Sequence, residues 1–146
     1  MRNISDYKVL TFDCYGTLID WETGIWDALQ PVSSATGRFD IQRDGALEVV
    51  ASLESAFEAE SPGMPYPDRP ARLHPRIADH LELGTTEERD EALGTTVPTW
   101  PAVPDTADAL RSLKHYPSLV ILSTVHREGF AASNRKLGVE FDAIYT

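Results

Sequence analysis

Two side chains carry the chemistry this sequence offers. In "YKVLTFDCYGTLIDWETG" the apolar run Val9-Leu10-Thr11-Phe12 delivers an acid, Asp13, and the turn residues Tyr15, Gly16 and Thr17 follow at once. In "SLVILS" a second apolar run ends on a hydroxyl, Ser123. A carboxylate at a strand end can be held still and aimed at an electrophilic carbon or phosphorus, forming an ester that water later cleaves. Amides of the following turn can stabilise charge that develops on oxygen. A hydroxyl on a neighbouring strand, or Thr17 within the turn, can orient the acid. The competing reading is structural, because an acid after a strand is often only a turn former or a helix cap.

Such a pair needs elements that bring it together. Tyr7 to Asp13 reads as a buried strand, β-branched and aromatic with little polar alternation. Ile25, Trp26, Leu29 and Val32 then recur at helical spacing, with Gly37 as a stop and Pro31 expected to kink or shorten the helix. Ala46, Val50, Leu53 and Phe57 mark a second helix closed by Ser61-Pro62-Gly63, and "MPYPDRP" reads as a loop. Leu73, Ile77 and Leu81 mark a third helix, ended by Gly84 and containing Pro75. Thr85 with Glu88 has capping-box spacing and opens a short fourth helix that stops near Gly94. After the connector "VPTWPAVPDT", Asp105 is the expected N-cap of a helix through Lys114, with Ala109, Leu110 and Leu113 inward. The strand Ser118 to Ser123, a helix over "HREGFAASNRKLG" closed by Gly138, and a third strand in "EFDAIYT" complete the order.

Strands separated by helices imply a parallel sheet with right-handed crossovers. Sites in such sheets lie outside the carboxyl ends of the strands. Asp13 and Ser123 both sit at such ends, although 110 residues of chain separate them. Four successive helices exceed what one crossover needs, so they read as an insertion. The expected fold is α/β: a Rossmann-like parallel sheet core, residues 1–20 and 102–146, with an inserted helical cap, residues 21–101.

The 146 residues suit one ordinary domain with a modest insertion. A formal charge of −10 argues against nucleic acid and anionic membranes as partners, since both repel an acidic surface. The one cysteine, Cys14, excludes an intrachain disulfide and fits a reducing cytoplasm. The N-terminus lacks the apolar core of a signal peptide, and no run approaches the ~20 apolar residues of a membrane span. A soluble cytoplasmic protein is expected. The four histidines and the carboxylates show no metal-ligand spacing.

"FDCYGTL" resembles the first motif of the haloacid dehalogenase superfamily, an apolar strand followed by D-x-x-x-T-L. "VILSTVHREGF" resembles the second motif, an apolar strand ending in Ser or Thr. Together with "VPTWPAVPDTADALRSLK", the context is most similar to type II (L-2-haloacid) dehalogenases. The resemblance implies that Asp13 is a nucleophile supported by Thr17 and Ser123, with Cys14, Tyr15, Thr124 and Arg43 around a small acid substrate. It implies a possible homodimer and no metal or other cofactor. Phosphatases of the superfamily, which use Mg²⁺, usually place a second Asp where this chain has Tyr15. A phenol with an ordinary pKa of about 10 is poorly suited to protonate an alkoxide. Halide leaves unprotonated, so Tyr15 favours carbon–halogen chemistry. The alternatives are an Mg²⁺-dependent phosphatase of small phosphate esters, or a non-catalytic domain that binds a partner or a small acid.

Some positions depart from the family pattern. Ser123 is followed by Thr124 where Asn is usual, which removes amide donors. Arg43, Arg69 and Arg72 are the candidates to hold a substrate carboxylate. His126 reads as a helix-start residue facing solvent, or as an acid or base near the site. Neither Lys8, Lys114 nor Lys136 can be assigned as the third-motif lysine, which is expected beyond Thr146 together with the fourth-motif acids. A chain ending there leaves Val9–Phe12 as an unpaired edge and is expected to be poorly stable or to associate. The Cys14 thiol has no nearby histidine to activate it and reads as structural. Trp21, Trp26 and Trp100 read as pocket lining or as packing.

Overall fold

The computed structural model describes residues 3–63, 69–84 and 86–146. In chain order the main elements are β1 (Val9–Phe12), α1 (Trp21–Thr36), α2 (Arg43–Glu60), α3 (Arg69–His80), α4 (Glu87–Gly94), α5 (Thr106–Leu113), β2 (Ser118–Leu122), α6 (Arg127–Leu137) and β3 (Ala143–Tyr145). Two compact units result. One comprises Met1–Trp21 with Trp100–Thr146, and the other comprises Glu22–Thr99.

The first unit holds the sheet. Its three strands are all parallel and ordered β1-β2-β3. Successive right-handed crossovers in one direction put their helices on one face, and α5 and α6 do pack against each other. Leu119, Val120 and Ile121 of β2 are buried, as are Leu110 of α5 and Phe130 and Leu137 of α6. Phe130 meets Phe141 edge to face at 5.6 Å, an arrangement that adds about 1 kcal/mol to its area burial. Asp142 ties β3 to the rest. Its carboxylate accepts hydrogen bonds from the Lys114 ammonium and the Leu119 amide, each at 2.8 Å. Lys114 first, then that amide, hold its carboxyl below the usual carboxylate range. Gly138 closes α6 with a positive φ of 63°, where a side chain would be strained.

The reading of β1 as a buried strand is corrected. β1 lies at the edge of this sheet with β2 as its one partner among the described residues, and Val9 is 51% exposed. Burial alternates along it, with Leu10 and Phe12 half-buried and Val9 and Thr11 exposed. On the same face Ser118, Leu122 and Tyr145 are exposed, while Val120, between two strands, is buried. Asp105 does sit at the start of α5, but its side chain makes no capping bond because its own backbone is already helical. Ala109 is exposed rather than inward, while Leu110 is buried.

The second unit is helical. Leu29, Val32, Ala46, Val50, Phe57, Leu73, Ile77 and Leu83 form its core. α1 runs through Pro31 to Thr36, so Pro31 does not shorten it, and Gly37 follows with φ +72°. α2 is tied to α3 by Glu58–Arg69 at 2.7 Å and Glu60–Arg76 at 2.8 Å, and Arg76 also lies 5.2 Å from the Phe57 ring. Thr85 and most of the "MPYPDRP" loop lie outside the described residues. Beside them, the Thr86 hydroxyl accepts the Arg89 amide at 3.3 Å at the start of α4. His74 is fully buried in α3, with Nδ1 held against the Asp90 carboxylate of α4.

Candidate active site

β1 and β2 are adjacent and parallel with Phe12 opposite Ile121. Asp13 and Ser123 therefore emerge from neighbouring strands at the same, carboxyl, end of the sheet. The topology cancels their separation in sequence. Asp13 is exposed, and no cation pairs with it among the described residues. The Ser123 amide donates to the Tyr145 carbonyl at 3.1 Å, which fixes its backbone on β3. Its Oγ accepts the Val125 amide at 3.4 Å.

The turn after Asp13 is tight. The Cys14 carbonyl accepts the amides of Thr17, Leu18 and Ile19 at 3.4, 2.8 and 3.0 Å, and the Gly16 amide donates to the Ile19 carbonyl at 2.9 Å. Gly16 takes φ +82°, which glycine adopts without steric cost. Those four amides are committed to the turn, so they do not act as donors to a developing oxyanion. The side chains of Thr17 and Thr124 are exposed at this end of the unit.

Cys14 has no exposed surface. Burial first, and the neighbouring Asp13 charge second, push its thiol up to about 12. The expectation that Cys14 lines a substrate locus is corrected: its side chain packs in the core, and its thiol is protonated across the physiological range. Tyr15 is half-buried, and its ring meets Trp100 edge on at 5.2 Å with 67° between planes. Burial pushes its phenol up to about 12. A phenol so raised stays protonated at neutral pH and is a weaker acid than a free tyrosine.

His126 caps the start of α6 with an extended backbone and no side-chain capping bond. Its ring does not face solvent, which corrects one reading: it is half-buried against Gly129 and close to the Tyr15 hydroxyl. Lys136 donates to the Trp100 carbonyl at 2.7 Å, and Lys114 is held by Asp142. Neither serves Asp13. Arg43 belongs to the helical unit, where it lies 3.5 Å from both Thr23 Oγ1 and Glu22 Oε2. Arg69 is engaged by Glu58, and Arg72 is exposed on α3. Among the described residues no three His, Cys, Asp or Glu side chains group to hold a metal ion.

Sequence reasoning missed the share of α6 in this arrangement. Gly129 and Ser133 look like unremarked helix residues in the sequence. Their i, i+4 spacing three residues after His126 is the one signal that could have flagged them.

This architecture is shared with known structures. The L-2-haloacid dehalogenase of Xanthobacter autotrophicus superposes with a TM-score of 0.75 at 20% identity, over 95% of this chain and 56% of that one. A second structure of that enzyme, with chloropropionic acid covalently bound, gives 0.71 at 19% identity over the same shares. A HAD-hydrolase of Bacillus subtilis bound to magnesium gives 0.72 at 14% identity, over 95% of this chain and 64% of that one. No family model matches the sequence, and no curated protein does. The chain has the fold of the haloacid dehalogenase hydrolases. It spans about three fifths of the length of the structures it matches.

Proposed function

We propose that this polypeptide is a hydrolase of the haloacid dehalogenase type acting on a small 2-haloacid, with Asp13 as nucleophile. The observation that carries the reading is the placement of Asp13 and Ser123 on adjacent strand ends, with a weakly acidic Tyr15 where a leaving alcohol would need a proton. A carboxylate oxygen of Asp13 attacks C2 of the substrate. The carbon–halogen bond breaks, and halide departs with its electron pair. Water then adds to the aspartyl ester carbonyl, which restores the Asp13 carboxylate and frees a 2-hydroxy acid and a proton. The chloropropionic acid bound covalently in the Xanthobacter enzyme supports an ester route on this fold. In this reading Ser123 and Thr17 orient the nucleophile, and Tyr15 and Thr124 border the substrate. In this reading the Glu22–Thr99 unit is the inserted cap, and Arg43 within it is the candidate to bind a substrate carboxylate. The reading also puts the protein in the cytoplasm, where its one thiol stays reduced.

The test is halide release from L-2-chloropropionate, with and without Asp13→Asn. Mass spectrometry of the Asp13 peptide after one turnover in H₂¹⁸O is expected to show ¹⁸O in the carboxylate. Halide release that survives Asp13→Asn would refute the assignment.

A second reading is favoured by the magnesium-bound Bacillus subtilis structure: a phosphatase of small phosphate esters. The described residues do not fit that ion, since no cluster of carboxylates converges with Asp13. Turnover of p-nitrophenyl phosphate with Mg²⁺, and no halide from chloropropionate, would establish it instead.

A further inference from the structure

One stripe of α6 takes hold of the residues beside Asp13. His126, Gly129, Ser133 and Lys136 follow each other at spacings of three, four and three, which lines them along one helix face. The imidazole of His126 folds over Gly129. A methyl group at Gly129 would lie 2.8 Å from His126 Cε1, 3.0 Å from His126 Nδ1 and 3.2 Å from the Tyr15 hydroxyl oxygen. All three atoms therefore crowd one point that only glycine leaves open. Ser133 is fully buried beside the same phenol. One step further, Lys136 holds the Trp100 carbonyl, and the Trp100 ring meets the Tyr15 ring.

We infer that His126 is a positioning residue: packed over Gly129, it fixes the Tyr15 ring two residues from Asp13. Tyr15 is thereby a rigid wall of the substrate locus, and its rotamer is set by α6 and not by its own turn. The functional part of this inference rests on the reading of Asp13 as nucleophile. The structural part stands without it.

The experiment uses the 146-residue chain with labelled histidine and tyrosine side chains. The wild type is expected to show a nuclear Overhauser contact between His126 Hε1 and the Tyr15 ring. Gly129→Ala is expected to abolish it and to alter the near-ultraviolet dichroism of the Tyr15–Trp100 pair. Adding His126→Ala to Gly129→Ala restores room, and the dichroism is expected to return toward wild type while melting stays cooperative. Halide release by His126→Ala is expected to fall on the order of tenfold in kcat/KM, as misplaced groups near a reacting centre do. Relative turnover of 2-chlorobutyrate over chloropropionate is expected to rise. A contact that persists in Gly129→Ala, or dichroism unmoved by His126→Ala, would overturn the packing claim. Altered dichroism with unchanged kcat/KM and substrate preference would overturn the positioning claim. If no variant and no wild type releases halide, the proposed function fails, and the spectroscopic outcomes still decide the packing.

Discussion

The sheet unit and the helical unit of this chain both have apolar cores, but they carry very different charge. Glu22–Thr99 carries fifteen Asp and Glu against six Arg and Lys, so nearly all of the net charge lies there. Its helices are stitched by ion pairs between partly exposed side chains, such as Glu58–Arg69 and Glu60–Arg76. Such pairs contribute little each and weaken with salt. The sheet unit is close to charge balance, and its helices and strands meet through Leu110, Leu119, Ile121, Phe130 and Leu137. One of its exposed acids, Asp13, sits at the end of that packed framework. On the reading of Asp13 as nucleophile, the sheet unit is where fixed geometry is needed, and dense apolar packing supplies it.

Perturbing the two units should separate them. The largest effect expected is on activity: Asp13→Asn lowers halide release by on the order of 10³-fold or more. It shifts stability by less than about 0.5 kcal/mol, because the side chain is exposed. Paired activity and thermal-melt measurements check both halves. Phe130→Ala should cost about 3–5 kcal/mol, the usual range for an aromatic ring removed from a core, read by urea denaturation. In the helical unit, His74→Ala should cost about 2–4 kcal/mol, since it leaves a hole and removes the imidazole held against Asp90. Arg69→Ala should cost below about 1 kcal/mol, and the loss should shrink at high salt. Equal salt sensitivity of Phe130→Ala and Arg69→Ala would erase the contrast between the units.

A pH-dependent effect sharpens the sheet unit alone. The Cys14 thiol is raised from 9.0 to about 12 in the folded chain. Above pH 9 the unfolded chain loses this proton and the folded chain keeps it. Its contribution to stability is therefore full below about pH 9 and fades as pH rises toward 12. Cys14→Ala should flatten the alkaline limb of the stability curve, measured by urea midpoints from pH 8 to 10.

Much of this was legible in the residues. Asp13 and Ser123 announce themselves because apolar runs end on them, and strand–helix alternation brings their strands together. Gly37 and Gly138 mark real helix ends because both need positive φ. Other features depend on contacts that no local pattern encodes. The commitment of the turn amides to the Cys14 carbonyl needs the actual path of the chain. His126 over Gly129 is a contact between neighbours on a helix, yet its meaning comes from Tyr15, more than 100 residues away.

The chain's single cysteine lies beside the candidate nucleophile, with no surface of its own. Thiol reagents can reach it only while the loop around Asp13 is open. The pace at which such a reagent modifies this protein is therefore a built-in gauge of how seldom that loop lets go.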